Sequence, residues 1–185
     1  MPSTSALSGA ANKHRDPEAP SPWVTRWSPL VTRGPVLDVA SGAGRHARLF
    51  AARGLEVVAV DREPQEIPGV RFVPADLEAG PWPLGEERFA AIIVTNYLHR
   101  PLLARLEAAL AADGLLIYET FMVGNEKYGR PSNPAFLLQP GELLQAFRTL
   151  TPVAFEQGCV ETPKPAVIQR LCARRGDIGS VRIAP

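Results

Sequence analysis

Val36-Leu37-Asp38-Val39-Ala40-Ser41-Gly42-Ala43-Gly44-Arg45-His46-Ala47 reads as a buried strand, a glycine turn and the opening of a helix. After that helix, Glu56-Val57-Val58-Ala59-Val60 forms another strand and delivers a second acid, Asp61, at its carboxyl end. Gly42 and Gly44 allow a tight turn and a close approach of backbone to a ligand. The free N–H groups at the start of the next helix favour an anionic group. A carboxylate one strand over accepts the hydroxyl protons of a ribose. Together these features have the logic of a nucleoside cofactor site.

The same stretch satisfies the dinucleotide fingerprint, with Gly42, Gly44 and Ala47 in its small-residue places. A nicotinamide cofactor is therefore one reading. Asp38 argues for another, because a charge inside the first strand is costly to bury without a partner. A cofactor with an amino group supplies that partner. S-adenosyl-L-methionine (SAM) has an amino group, a carboxylate, a ribose and an adenine, and it lacks a pyrophosphate. Asp38 would take its amino end, the loop from Ser41 to Arg45 its carboxylate and Asp61 its ribose. A third acid follows the short strand Gly69-Val70-Arg71-Phe72-Val73, in Pro74-Ala75-Asp76-Leu77. Asp76 would accept from the adenine amino group, with the Leu77 backbone and side chain against the ring. Acids at three successive strand ends favour SAM over the nicotinamide.

These residues resemble the motifs of the class I SAM-dependent methyltransferases. Asp38-Val39-Ala40-Ser41-Gly42-Ala43-Gly44 is similar to their first motif, Asp61 to their ribose acid, and Asp76-Leu77 to their adenine motif. Ala40 departs from the pattern, where many members have glycine, but leaves a small residue beside the cofactor. The resemblance covers roughly Ser21 to Arg174. It implies a doubly wound, Rossmann-like α/β sheet ending in an antiparallel hairpin, with SAM as methyl donor and S-adenosyl-L-homocysteine as product. The cofactor set would be Asp38, Ala40, Ser41, Gly42, Gly44, Asp61, Asp76, Leu77 and Asn96. A narrower similarity, to tellurite-resistance-type small methyltransferases, rests on Tyr118-Glu119-Thr120-Phe121 through Gly141-Glu142-Leu143-Leu144.

At 185 residues and 20.0 kDa the chain has room for one substantial core but not for a separate substrate domain of dehydrogenase size. The expected division is a flexible tail over residues 1–20, rich in Ser, Ala and Pro, and a single domain over 21–185. The tail has neither a signal-peptide pattern nor a membrane span, so the expected location is the cytoplasm. A net charge of +1 gives no reason to expect a polyanionic partner, and no nucleic-acid or membrane partner is expected. Cys159 and Cys172 form no CxxC pair and read as core thiols; their scarcity argues against thiol-relay chemistry such as arsenic methylation. His14, His46 and His99 are too dispersed to suggest a metal site, and no metal is expected.

The pattern predicts helices over Arg45–Arg53, stopped by Gly54, and from Pro101 to Gly114, with Leu102, Leu103, Leu106 and Leu110 on one face. A last helix runs from Pro140 to Phe147. Phe89–Val94 and Leu115–Tyr118 read as central strands, and Thr151–Cys159 with Ala166–Ala173 as the terminal hairpin. Arg62–Pro68 is too short and proline-rich for a crossover helix. A short helix at Ser21–Trp27 is expected across the cofactor mouth, its aromatics mainly packing residues.

Open α/β sheets bind ligands at the carboxyl ends of their strands. Two segments converge there: Thr95–Arg100, and the long connection from Glu119 to Leu138. Methyl transfer needs chiefly alignment, since the sulfonium already activates the methyl group. A base is needed only when the acceptor must lose a proton, and His99 suits that role by intrinsic pKa. Tyr97, Tyr118 and Glu119 are the other catalytic candidates; Arg100, Asn125, Tyr128 and Arg130 are the candidates for the acceptor. The acceptor is expected to be a small molecule or oxyanion. DNA amino-methylation is disfavoured because Asn96-Tyr97-Leu98-His99 lacks the prolines of that motif. A SAM-binding regulatory protein without turnover and an NAD(P)-binding oxidoreductase remain as alternatives.

Overall fold

The structure, a computed structural model, describes residues 19–162, 164–177 and 179. The expected tail lies outside the described residues apart from Ala19 and Pro20. The described chain forms α1 (Pro22–Trp27), β1 (Val36–Val39), α2 (Arg45–Ala51), β2 (Val57–Asp61), β3 (Arg71–Pro74) and β4 (Phe89–Thr95). There follow α3 (Leu103–Ala109), β5 (Leu110–Phe121), α4 (Glu142–Ala146), β6 (Thr151–Val160) and β7 (Ala166–Arg174). The strands make a seven-stranded sheet in the order β3-β2-β1-β4-β5-β7-β6, with β7 running against the other six. The expected doubly wound sheet with a reversed hairpin edge is what the chain builds. No helix among the described residues is long and apolar enough to cross a membrane.

Strand order reverses between β1 and β4, which are direct neighbours with Asp38 opposite Ile93 and Val39 opposite Val94. Chain leaving β1 turns to one side of the sheet and chain leaving β4 to the other. A crevice therefore opens at their carboxyl ends. Both faces of the sheet are covered, which explains the continuous apolar runs of β1, β2 and β4. Leu37, Ile92, Leu116 and Tyr118 face one layer with α3 and α4, where Tyr118 and Phe147 rings lie 6.0 Å apart. Val36, Ala91, Ile93 and Ile117 face the other layer, against α1 and α2. There the Trp23 and Trp27 rings meet edge to face at 5.6 Å.

Three expectations are corrected. The helix expected up to Gly114 stops at Ala109, because Leu110 already pairs with Phe89 of β4. The ladder resumes with Ala91 opposite Leu115, so Ala111–Gly114 bulge out between the two pairings. Asp113 turns this corner with φ 61°, and a side chain on Gly114 would meet the carbonyls of Ala111 and Phe89 at 2.9 and 3.0 Å. The helix at Arg45 also ends two residues earlier than expected. Cys172 is a core thiol as expected, but Cys159 is exposed, because it lies on the outer strand β6.

Helix α1 is held by a polar chain that crosses the sheet. The Ser21 hydroxyl caps α1, accepting from the Trp23 amide (3.1 Å), and donates to Glu119 Oε1 (2.7 Å). The other oxygen of Glu119 accepts from Arg170 of β7, which also reaches Glu156 of β6 at 3.2 Å. Glu156 pairs in turn with Arg26 of α1. Removing one member of a buried pair leaves the other charge uncompensated. Glu119→Ala is therefore expected to destabilise the fold by about 3 kcal/mol, softened by the Glu156 that Arg170 retains. Arg26→Ala, at the exposed end, is expected to cost less than about 1 kcal/mol. Urea denaturation of both variants checks this, and equal losses would mean that the chain does not anchor α1.

Candidate active site

The glycine turn takes its shape from two carboxylates beneath and beside it. Asp38, buried in β1, accepts from the Ala47 amide in the first turn of α2 at 2.9 Å. Asp61, at the end of β2, accepts from Gly42 N–H at 2.8 Å and from Glu63 N–H at 3.1 Å. Between them Ala40 and Gly42 adopt left-handed backbone, with φ of 51° and 54°. Gly44 is left-handed too, and a side chain there would run into Ile67 at 2.2 Å. At Gly42, by contrast, an added Cβ meets nothing within 4 Å. The turn thus presents open space on the ligand side and close packing behind.

Around that space stand polar groups without protein partners. Ser41 Oγ and Tyr97 Oη are both buried and make no hydrogen bond. Burial raises the Tyr97 phenol above its ordinary range, and the field of Glu78, Asp76 and Asp61 raises it further. Tyr97 therefore faces the acids at the ends of β2 and β3. Asp76 is exposed; its Oδ1 accepts from the amides of Glu78 (2.8 Å) and Ala79 (3.1 Å), which hold the carboxyl below its ordinary value. His99 lies within electrostatic reach of Asp76. Asn96, at the end of β4, is exposed with left-handed φ 55°, its amide bound to the Glu119 carbonyl. Buried polar atoms left unpaired are costly, and a polar ligand in this crescent would relieve that cost. Ser41, Gly42, Asp61, Asp76 and Tyr97 fit the hydroxyls and amino groups of a nucleoside cofactor.

Several expected site residues are engaged elsewhere. Asp38 is 1% exposed and bound to Ala47, so it positions α2 and does not open to a ligand amino group. The Leu77 side chain packs in the core, leaving only its backbone for an adenine ring. Tyr118 is buried, donates to the Tyr97 carbonyl at 2.9 Å and is driven far above its ordinary value by desolvation. Glu119 is consumed by Ser21 and Arg170. Arg100 grips Glu142 in two bonds of 2.7 and 3.0 Å and donates to the Ala135 and Leu137 carbonyls. Asn125 is buried, donating to the Pro131 carbonyl and accepting from the Val167 amide. Tyr128 is exposed, its phenol raised by the neighbouring Cys159, and Arg130 is exposed. Of the catalytic candidates, Tyr97 and His99 stay on the ligand side. Among the described residues no three His, Cys, Asp or Glu side chains converge as a metal site.

The sequence reading missed His46. Its Nε2 accepts from the Ser21 amide at 3.1 Å, so the neutral ring carries its proton on Nδ1 and donates to Thr95 Oγ1, 3.4 Å away. His46 thus joins α1, α2 and the end of β4 beside the site. No local signal marks it, because Ser21 and Thr95 lie 25 and 49 positions away.

No protein-family model matches the chain, and no curated protein matches it. Solved structures do. TehB from Haemophilus influenzae superposes with a TM-score of 0.70 at 14% identity, over 83% of this chain and 61% of that one. The chain has the class I SAM-dependent methyltransferase fold. It spans 61% of the TehB length. A TehB-like SAM-dependent methyltransferase from Corynebacterium glutamicum gives 0.60 at 20% identity, covering 82% of this chain and 85% of that one. The 1,6-didemethyltoxoflavin-N1-methyltransferase of Burkholderia thailandensis, solved with S-adenosylhomocysteine and 1,6-didemethyltoxoflavin, gives 0.58 at 26% identity, over 84% and 76%.

Asp38 and His46 pull stability in opposite directions with pH. Burial, partly offset by the Ala47 amide, pushes Asp38 from 3.8 up to about 7, so the folded state holds a proton that the unfolded chain releases above pH 4. Its contribution therefore falls as pH rises from 4 to 7. Burial lowers His46 from 6.5 to about 3, so its contribution rises with pH across that window. Relative to the parent, Asp38→Asn is expected to gain stability steadily between these limits, by up to on the order of 4 kcal/mol. His46→Gln is expected to lose relative stability over the same range. Denaturation at stepped pH checks both slopes; parallel curves for all three proteins would mean that neither group titrates as its burial demands.

Proposed function

We propose that this protein transfers the methyl group of SAM to a small-molecule acceptor. The observation that carries the reading is the crescent at the strand-order reversal: buried, unpartnered Ser41 Oγ and Tyr97 Oη beside the open face of Gly42, with Asp61 and Asp76 at the adjoining strand ends. The fold likeness to SAM-dependent methyltransferases supports it, and so does the Burkholderia neighbour, whose bound S-adenosylhomocysteine is the product this reading requires.

In this reading each Asp61 oxygen keeps lone pairs beyond its amide bond and accepts from a ribose hydroxyl. Asp76 offers its second oxygen to the adenine amino group, and the Leu77 backbone faces the ring. Ser41 Oγ and Tyr97 Oη gain the partners they lack. When bound, the cofactor supplies a methyl group already activated on a sulfonium. An acceptor would take that methyl group, and the sulfur would leave as a neutral thioether. The chain's task is to align the two and exclude water, which in favourable cases contributes about 7–11 kcal/mol. Tyr118 and Glu119 are committed to structural bonds, so His99 is the remaining base for an acceptor that must lose a proton.

Calorimetry with SAM, S-adenosylhomocysteine and NAD tests the cofactor half. Both adenosyl compounds are expected to bind in preference to NAD. Asp61→Ala is expected to weaken them by about 1.5–3 kcal/mol for each ribose bond lost. Tighter nicotinamide binding, or unchanged affinity in a folded Asp61→Ala variant, would refute the assignment. Single-turnover transfer from labelled SAM into a metabolite pool tests the enzymatic half, and tight binding without transfer would favour a regulatory protein.

A further inference from the structure

The connection between β5 and α4 carries an open surface groove. Arg130, Pro131, Ser132, Asn133 and Phe136 line a space of about 430 Å³. This is within the range of small-ligand pockets, about 300–1,000 Å³. Three separate anchors fix its walls. Asn125, buried and bonded to β7, donates to the Pro131 carbonyl at 3.1 Å. Asn133 Oδ1 accepts from the Ala135 amide at 3.0 Å. Arg100, which follows the end of β4, holds the Ala135 and Leu137 carbonyls on either side of Phe136 at 2.7 and 2.9 Å. The stretch is thus tied to the same strand end that carries Asn96 and Tyr97.

What this fixed groove presents is unusual for the molecule. Phe136, 43% exposed, and Tyr128 are the only exposed large hydrophobic side chains among the described residues, and both lie on this connection. Tyr128 is not among the residues lining the groove, which leaves the Phe136 ring as its apolar wall. Arg130 supplies a guanidinium with no hydrogen-bonding or ionic partner among the described residues. Arg100, against α4, and Arg170, against α1, are both engaged by carboxylates. An open ring surface beside an uncommitted guanidinium complements a ligand that is flat, apolar and negatively charged.

We propose that this groove binds a planar aromatic anion and is the acceptor subsite, an assignment that rests on the methyl-transfer reading above. Phe136 stacks the ring, Arg130 pairs with the anionic substituent, and Ser132 and Asn133 supply polar contacts at the rim. The test uses naphthoate, which has ring and charge, against naphthamide, which has the ring alone, and cyclohexanecarboxylate, which has the charge alone. In calorimetry on the full chain saturated with S-adenosylhomocysteine, naphthoate is expected to bind at least about tenfold more tightly than either control. Arg130→Gln should remove the preference for the acid over the amide. Phe136→Ala should remove the preference for the aromatic over the saturated ring. Both residues are exposed, so both variants should fold and hold S-adenosylhomocysteine as the parent does. Naphthoate binding no tighter than the controls, or insensitive to both substitutions, would overturn the groove assignment and leave the cofactor reading intact. Failure of the parent to bind S-adenosylhomocysteine would refute the methyl-transfer reading instead, while naphthoate binding to the unliganded chain would still report on the groove.

Discussion

A buried carboxyl bonded to the first turn of a helix sets the geometry on which the site depends. Asp38 on β1 accepts from the Ala47 amide and so fixes where α2 begins relative to the sheet. That leaves the chain from Ala40 to Gly44 to span a short gap with left-handed backbone at Ala40, Gly42 and Gly44, and the amide of Gly42 meets Asp61 on the next strand. The two acids do different work although the sequence offers them as equals. One is 1% exposed and holds the scaffold; the other stands at the strand end with lone pairs to spare. The buried position is the costly one, since desolvation disfavours its charge. A glycine turn shaped from below by such a group is held in place before any ligand arrives, which is what preorganisation requires.

The sheet was legible because its signals are local. Continuous apolar runs mark β1, β2 and β4 as strands covered on both faces, and the glycine turn marks the switch from strand to helix. Acids at the ends of β2 and β3 follow from the same reading, since a strand's last residue and the start of its loop can be counted off. The hairpin of β6 and β7 was visible as two runs with a proline-containing break. What the sequence did not reveal depends on partners far along the chain. Ser21 meets Glu119 across 98 positions, and Glu119 meets Arg170 across 51. Nothing in Tyr118-Glu119-Thr120-Phe121 distinguishes a carboxylate facing a substrate from one locked under a helix. The helix that stops at Ala109 was misread for a related reason. Leu110 fits the apolar face of a helix, but its pairing with Phe89 across the sheet takes precedence.

Arg100 shows how such commitments build function indirectly. A guanidinium near the mouth invites assignment to an anionic acceptor, yet its donors are spent on Glu142 and on two carbonyls of the connection. Those bonds turn a stretch rich in proline, serine and asparagine into a fixed wall. Asn125 acts in the same way from the other side, carrying the hydrogen-bond pattern of β7 into the loop through the Val167 amide. Irregular backbone has no ladder of its own, so side chains must satisfy it. Here Arg100 and Asn125 do so.

The consequence is a division of labour among the polar residues at the carboxyl edge. Those with saturated partners, Glu119, Arg100, Asn125 and Arg170, define the shape of the opening. Those without, Ser41, Tyr97 and Arg130, are the ones the proposed reading assigns to ligands. The first two stand where the strand order reverses, and the third stands on the connection that Arg100 ties back to β4. The Ser41 and Tyr97 hydroxyls are buried, so leaving them unpaired carries a free-energy cost that a ligand would relieve, whereas Arg130 is exposed to water. The reversal and the connection meet at one strand end, where Asn96 and Tyr97 are four residues or fewer from Arg100. Displacement of that strand end would disturb both sites at once, whereas the exposed side chains of the connection can vary without reaching the cofactor cradle.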